Sequence, residues 1–511
     1  MAENQYKWGV VIVACMAIFI IVLDSSAMNV AITTLVVELN TTLSTIQAII
    51  ALYALIIASF MLFGSKLQDI LGRKRTFLIG LIIYASGTVI ATFSINAGML
   101  LVGWAVLEGI GAALILPATT TLVGSSYEGK DRVTAFGLWG GIAAMGVAIG
   151  PIVGGFFTTY LTWRLVFGSE LIFVVLIFLF RNYLTESTPT LKWKDLDIIG
   201  AILSIVSLIL VVLGILLLTK PQNWTYVPIL VGSGALLFLI FLLWERRRIN
   251  NGLEPLSDIS LLKNRIFGLG NINFIISQIP LAGFLFIIPV FLQQVTKVNA
   301  FTTGLALFPA SITILIFSLL GAKLSSSLGS RSIIMIGFVV SAVGAFILST
   351  SFNLYTQVID IIPGTVVFGM GIGFLLSQLT NLTMSAARND QETDAAGFLN
   401  AFKNLGYSVG TALIGVLLIL GIFGGITASV ESSGLSGIMT TEQIDSSVMF
   451  YVEKMQTGTL NVPPNMVPQV NQILNSTISS AMKQTFNILA LILLLGFITS
   501  IFLPSRKKIK L

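Results

Sequence analysis

Gly64-Ser65-Lys66-Leu67-Gln68-Asp69-Ile70-Leu71-Gly72-Arg73-Lys74 and Gly321-Ala322-Lys323-Leu324-Ser325-Ser326-Ser327-Leu328-Gly329-Ser330-Arg331 follow one pattern. Glycine, lysine, leucine, leucine and glycine align without a gap at an offset of 257 positions. Each copy follows a long apolar run and leads into another, so each reads as a basic turn between two membrane helices. Basic turns with glycine also recur by chance between such helices, but five identities in register favour duplication.

A helix crossing the hydrocarbon core needs about 20 apolar residues. Runs of that kind lie at about 10–32, 44–64, 76–95, 98–122, 134–159, 162–181, 197–218, 226–244, 267–292, 302–322, 332–351, 356–385, 396–424 and 484–504. They predict fourteen spans. The first copy of the repeat follows span two and the second follows span ten, so the layout is six, two, six. The expected units are a six-helix bundle at 1–185, a linker with two extra helices at 186–250, and a second six-helix bundle at 251–511. The last unit includes a polar outer loop at 426–483, which holds the formal sequon Asn475-Ser476-Thr477. The runs are continuous, so a membrane barrel, whose strands alternate polar and apolar residues, is disfavoured. The first run is long and lacks a cleavage site, so no cleaved signal peptide is expected.

The 511 residues are 55% hydrophobic and 10% charged, with a mean hydropathy of +0.96. Soluble domains carry about 25% charged residues, which rules out a string of them. No histidine and one cysteine, Cys15, exclude disulfide scaffolds, Cys/His zinc sites and histidine proton shuttles. No cofactor and no metal is expected. Lysine and arginine favour one side of the spans by about four to one, which puts both termini in the cytoplasm of a cell membrane. The net charge of +6 therefore reads as topology and contact with lipid headgroups. It does not suggest nucleic-acid binding.

Six stretches carry a family resemblance. Leu23-Asp24-Ser25-Ser26-Ala27-Met28-Asn29-Val30-Ala31 combines an aspartate with Asn-Val-Ala in the first span. Segment 64–75 is the basic turn, and Gly146-x-x-x-Gly150-Pro151-x-x-Gly154-Gly155 closes the fifth span. Trp163-Arg164 opens the sixth. Glu254-Pro255-Leu256 through Arg265, and Phe291-Leu292-Gln293-Gln294-Val295 followed by Gly304 and Pro309, complete the set. In this order the chain resembles the major facilitator superfamily, in its fourteen-helix drug:proton antiporter branch. The resemblance implies an all-α polytopic fold of two six-helix bundles and multidrug efflux by proton antiport.

Asp24 lies about 14 residues into its helix, well inside the bilayer. An intramembrane charge is functional by default. Its protonation responds to local water and to a cationic substrate, so it can exchange a proton for a cation. The alternative is a carboxylate held structurally by Ser25 and Ser26. Glu108 sits near mid-membrane in the fourth span. There the family pattern Arg-x-x-Gln-Gly-x-Gly-Ala-Ala meets Ala105-Val106-Leu107-Glu108-Gly109-Ile110-Gly111-Ala112-Ala113. The arginine that the resemblance associates with proton transfer is replaced by Ala105, and the glutamine by Glu108. Two roles are open to Glu108: a protonatable group that the relatives lack, or a neutral stand-in for glutamine. Glu170, in the more peripheral sixth span, is the third candidate. It pairs with Arg164 or, more simply, bonds to a nearby hydroxyl.

Gly146, Gly150 and Gly154 recur every four residues on one helical face, which lets another helix approach closely. Pro151 removes a backbone donor there. With Gly155 they suggest a dry seal that disfavours leak. Asp69 can latch the cytoplasmic side by bonding to a helix N-terminus and to arginine across the half-interface, with Gly72, Arg73 and Lys74 as the rest of that gate. Ser326 stands where the second copy would carry the acid, so such a latch is one-sided. Lys403 is expected to snorkel towards the headgroups. Trp104, Trp139, Met145, Phe368 and Met370 are candidates for a greasy cavity or for ordinary core.

The leading expectation is a transporter exporting amphipathic or cationic small molecules in exchange for protons. Its partners would be that substrate, protons and membrane lipids, with a monomer as the working unit. The nearest alternative exports one physiological solute, such as a lipid precursor, peptide or metabolite. A membrane-embedded enzyme is disfavoured because the sequence has no phosphate-cradling loop, no histidine and no metal-ligand cluster, and a receptor would want a sizeable soluble sensor, for which 426–483 is the only candidate.

Overall fold

The computed structural model describes residues 8–186, 188–218, 221–388, 391–432 and 467–504. Fourteen long helices run through them. They are α1 (Gly9–Ala27), α2 (Leu43–Leu71), α3 (Arg73–Thr92), α4 (Ala97–Ser126), α5 (Gly129–Tyr160), α6 (Arg164–Leu179) and α7 (Ile198–Leu217). Then come α8 (Val227–Asn250), α9 (Arg265–Gln294), α10 (Ala300–Leu328), α11 (Ser330–Ser349), α12 (Val358–Met384), α13 (Glu392–Ser432) and α14 (Val467–Ser500). Thirteen of them are long and apolar enough to cross a membrane. The other is α6, which at 16 residues spans about 24 Å against a core of about 30 Å. No strand occurs among the described residues.

The duplication is visible in the backbone. Gly72 ends α2 at φ 91°, ψ 154°, and Gly329, 257 residues on, ends α10 at φ 78°, ψ 146°. Both glycine N–H groups donate four residues back, Gly72 to the Gln68 carbonyl (2.9 Å) and Gly329 to the Ser325 carbonyl (3.0 Å). A side chain at that φ and ψ meets its own backbone, which leaves the region essentially to glycine. Gly72→Ala and Gly329→Ala are each expected to cost about 1–3 kcal/mol. Each should lower the thermal midpoint of the detergent-solubilised protein by a similar amount, and unequal shifts would break the equivalence of the two turns.

The two repeats pack as bundles, α1–α6 and α9–α14, that meet along α2 against α13 and α5 against α10. The extra pair α7–α8 lies outside this core: α7 touches α2 and α13 at the seam, and α8 packs on α7. Only 11% of the apolar window of α8 is buried, against 83% for α9, so the pair faces lipid. At the polar end of the molecule, α13 runs on to Ser432 and α14 begins at Val467, so helix extends into the outer loop expected at 426–483. Leaving the hydrocarbon does not by itself end a helix, and Pro468 suits a first turn. Asn475 of the sequon sits inside α14, where its Oδ1 accepts from the Leu354 N–H at 2.8 Å. Residues 433–466 of the loop lie outside the described residues.

Candidate functional site

Asp24 is fully buried in the first bundle, and its partner is not one of the neighbouring hydroxyls. The indole N–H of Trp104, on α4, donates to Asp24 Oδ2 at 2.6 Å, while Oδ1 has no partner. Ser25 and Ser26 bond elsewhere, Ser25 to the Ile21 carbonyl (3.1 Å) and Ser26 to the Val147 carbonyl on α5 (3.1 Å). Trp104 is itself held by Tyr53, stacked on it with ring centroids 5.4 Å apart, and by the edge of Phe167 at 5.9 Å.

Glu108 ends a π-helical stretch of α4, Leu101–Glu108, a local widening often found at functional positions. The stretch fits because α3 and α4 touch through glycines. A Cβ on Gly87 would lie 2.5 Å from the Gly103 carbonyl oxygen and 2.7 Å from the Glu108 nitrogen. Glu108 is fully buried, and neither carboxyl oxygen has a hydrogen-bond partner. Glu170 is buried nearby and accepts from the Tyr84 hydroxyl at 2.7 Å. Arg164 turns away to Glu38 (2.7 Å), which also takes the Trp163 indole N–H (2.9 Å), so the Trp163-Arg164 pair ties α6 to the end of the first span. The three carboxyls act on one another electrostatically. They form one polar cluster inside one bundle, and Tyr53, Tyr84 and Trp104 complete it. Nothing in the spacing of those aromatics marked them as partners, because the contacts join five different helices, α1, α2, α3, α4 and α6.

Between the bundles lies a cavity lined by residues of both. Ser25, Tyr53 and Trp139 line one side, Gln278, Lys403 and Asn404 the other, with Ile18, Leu281 and Leu285 among the apolar walls. None of the three carboxyls lines it; Tyr53 stands between the cavity and the Asp24–Trp104 pair. Lys403 faces this space and does not run out to the headgroups. Of the aromatic candidates, Trp139 lines the cavity, whereas Phe368 is core, stacked on Phe284 at 4.7 Å.

The glycine face of α5 packs where the cavity ends. A Cβ on Gly146 would lie 3.2 Å from Val22, and one on Gly150 2.6 Å from Ser26. One on Gly154 would run into the Ala27 carbonyl of α1, and one on Gly155 would lie 2.5 Å from the Ala300 carbonyl oxygen of α10. Gly304 of α10 is pressed in turn against the Pro151 carbonyl. Polar contacts continue the seam. Gln293 donates to the Val30 carbonyl (2.7 Å) and meets Thr33, and the Phe301 N–H donates to Thr159 (2.9 Å). At the other, basic end of α5 the opposite holds: a Cβ on Gly137, Gly140 or Gly141 would meet nothing within 4 Å among the described residues. Along α5 the helices are thus in close contact away from the basic turns, while its glycines near those turns touch nothing among the described residues.

At the basic end, Lys66 and Arg73 of its own bundle act on Asp69 electrostatically. Its carbonyl accepts from the Thr190 and Leu191 N–H groups (2.8 and 3.0 Å). Its neighbours cross to the second half: Ser65 donates to the Thr393 carbonyl (3.1 Å) and Lys66 pairs with Glu254 (3.2 Å). Arg73 reaches the Thr121 carbonyl (3.4 Å) and Lys74 the Leu184 carbonyl (2.9 Å), both within the first half. Among the described residues no three His, Cys, Asp or Glu side chains meet in a way that could hold a metal ion.

A sequence model described as the Major Facilitator Superfamily matches residues 14–197 and 198–411. Among curated proteins, the chain is 25% identical to the riboflavin transporter RibZ of Clostridioides difficile, over 80% of this chain and 87% of that protein. It is 28% identical to the methylenomycin A resistance protein of Bacillus subtilis, with the same coverage. It is 30% identical to the quinolone resistance protein NorB of Staphylococcus aureus, over 74% of this chain and 81% of that one. Among solved structures, a bacterial homologue of the human lysosomal transporter Spinster, inward-facing and unoccupied, superposes with a TM-score of 0.62. That match is at 12% identity and covers 98% of each chain, so it speaks to the fold.

Proposed function

The chain belongs to the Major Facilitator Superfamily, and from that premise we propose that it exports amphipathic small molecules in exchange for protons. The work is done by two bundles that alternate access to the cavity between them. Its relatives are transporters, antibiotic resistance proteins among them, and not enzymes. The observation that carries the proton half of the proposal is the cluster of Asp24, Glu108 and Glu170. These are three fully buried carboxyls, with four oxygens lacking a hydrogen-bond partner, in one bundle beside the cavity. Buried acceptors without donors are costly unless a proton or water reaches them, which suits groups that load and release protons. Asp24 is the first candidate because Tyr53 both stacks on its donor Trp104 and lines the cavity.

By the positive-inside rule the basic side is cytoplasmic, and an amphipathic compound enters the cavity from there or from the inner leaflet. The working unit we propose is the monomer in the cell membrane, with Asp69, Gly72, Arg73 and Lys74 as the cytoplasmic gate. The riboflavin transporter among its relatives favours a second reading, export of one physiological solute. In proteoliposomes without ATP, an imposed pH gradient is expected to drive amphipathic dyes across the bilayer, and a protonophore to stop it. Dye movement indifferent to both would remove proton coupling. Transport confined to a single solute would favour the second reading.

A further inference from the structure

We propose that Lys403 makes the central cavity an anion-accepting site, so that the preferred substrates are amphipathic compounds carrying a negative group, held at the second bundle. The inference rests on the transport reading above and deepens it by assigning a charge class to the substrate.

Lys403 lines the cavity from α13 and makes no hydrogen bond or ion pair with any described residue. No carboxylate is among the groups that act on it; the three acids of the first bundle lie behind Tyr53 and Trp104. Two other lining residues hold buried N–H groups without an acceptor. Gln278, 2% exposed, has an amide Nε2 without an acceptor, and the Trp139 indole N–H has none either. Asn400 and Asn404 spend their amide N–H groups on carbonyls of their own helix, at 3.0 and 2.9 Å. A cationic head on a mostly apolar lining, with two unpaired N–H groups buried in the walls around it, is what an apolar anion needs: charge complement, nearby donors and greasy walls. An unpaired ammonium in an apolar site is itself unfavourable, so an incoming carboxylate, sulfonate or phenolate supplies its missing partner. A permanent cation meets repulsion at the same place.

The test uses tetraphenylborate and tetraphenylphosphonium, apolar ions of nearly one shape and opposite charge. Their binding to the purified full-length protein is measured by isothermal titration with micelle partitioning subtracted. Wild type is expected to hold tetraphenylborate at least 10-fold more tightly than tetraphenylphosphonium. Lys403→Gln should erase or reverse that ratio, and Lys403→Arg should keep it. Thermal midpoints of the three proteins separate a charge effect from misfolding: Lys403→Arg retaining the preference while Lys403→Gln stays folded isolates the charge. Equal affinity for both ions in wild type, or a preference unchanged in Lys403→Gln, overturns the proposal. Loss of pH-gradient-driven transport with the binding ratio intact would instead count against proton coupling, so the two readings fail separately.

Discussion

Asp24→Asn is expected to abolish transport driven by a pH gradient while leaving the protein folded. Asparagine keeps the size of the side chain and an acceptor oxygen for the Trp104 indole N–H, now 2.6 Å from Oδ2. The Tyr53–Trp104 stack therefore has no reason to move. What disappears is the group that takes up and gives back a proton. Removing such a group lowers rates by about 10²–10⁴-fold where proton transfer is part of the step, so exchange in proteoliposomes should fall by at least about 100-fold. Downhill movement of substrate without proton release is the residual activity expected. Glu108→Gln is the companion variant. Neither oxygen of Glu108 has a donor, so a glutamine gains nothing there that glutamate lacked. A proton-carrying Glu108 predicts fewer protons released per substrate in Glu108→Gln, with transport retained. If both variants release protons and transport as wild type does, the carboxyl cluster is not the coupling device.

The second large effect lies in the seal. Gly154→Val places branched methyls against the Ala27 backbone carbonyl of α1, and Gly155→Val does the same against Ala300 of α10. A backbone carbonyl cannot swing aside as a side chain can, so the helices must part. Over-packing of this kind costs about 1–3 kcal/mol. At Gly154 the strain falls within the first bundle and should lower the thermal midpoint. At Gly155 it falls between the bundles on the closed side, and there the larger consequence is functional. Vesicles carrying Gly155→Val are expected to leak protons without substrate, because α5 and α10 no longer close over the cavity. Gly140→Val, in open space on the same helix, is the control and should change neither measurement. A tight, stable Gly155→Val protein would show that this contact is not the seal.

Much of the architecture was legible before any coordinates. Hydropathy located all fourteen helices, including α6, which is too short to be recognised by length alone but sits between well-marked neighbours. Ridges of glycine in α5 announced a close approach, since four-residue spacing puts them on one face; the partners, Ala27 and Ala300, could not be read. The stretch Gln293-Gln294 and Gly304 resembled the family without an evident purpose, and packing supplied one. Gln293 and Gly304 lie on the seam between the bundles. Helix extends beyond the apolar runs at both borders of 426–483, to Ser432 and from Val467, because polarity marks where a chain leaves hydrocarbon and not where its backbone hydrogen bonds stop.

The polar residues divide the two kinds of knowledge most sharply. Asp24 and Lys403 are each the single charge of an apolar span, 10–32 and 396–424, and depth along the membrane follows for each from a rise of 1.5 Å per residue. That depth, the number of spans and the duplication at an offset of 257 residues are properties of the chain against the bilayer, so the sequence determined them unaided. Which way each charge faces depends on how its helix is rotated against its neighbours, and rotation is set by packing on helices far away in the chain. Only the tertiary structure turned Asp24 inward to Trp104 and Lys403 into the cavity. It thereby separated the proposed proton carriers from the surface a substrate would touch.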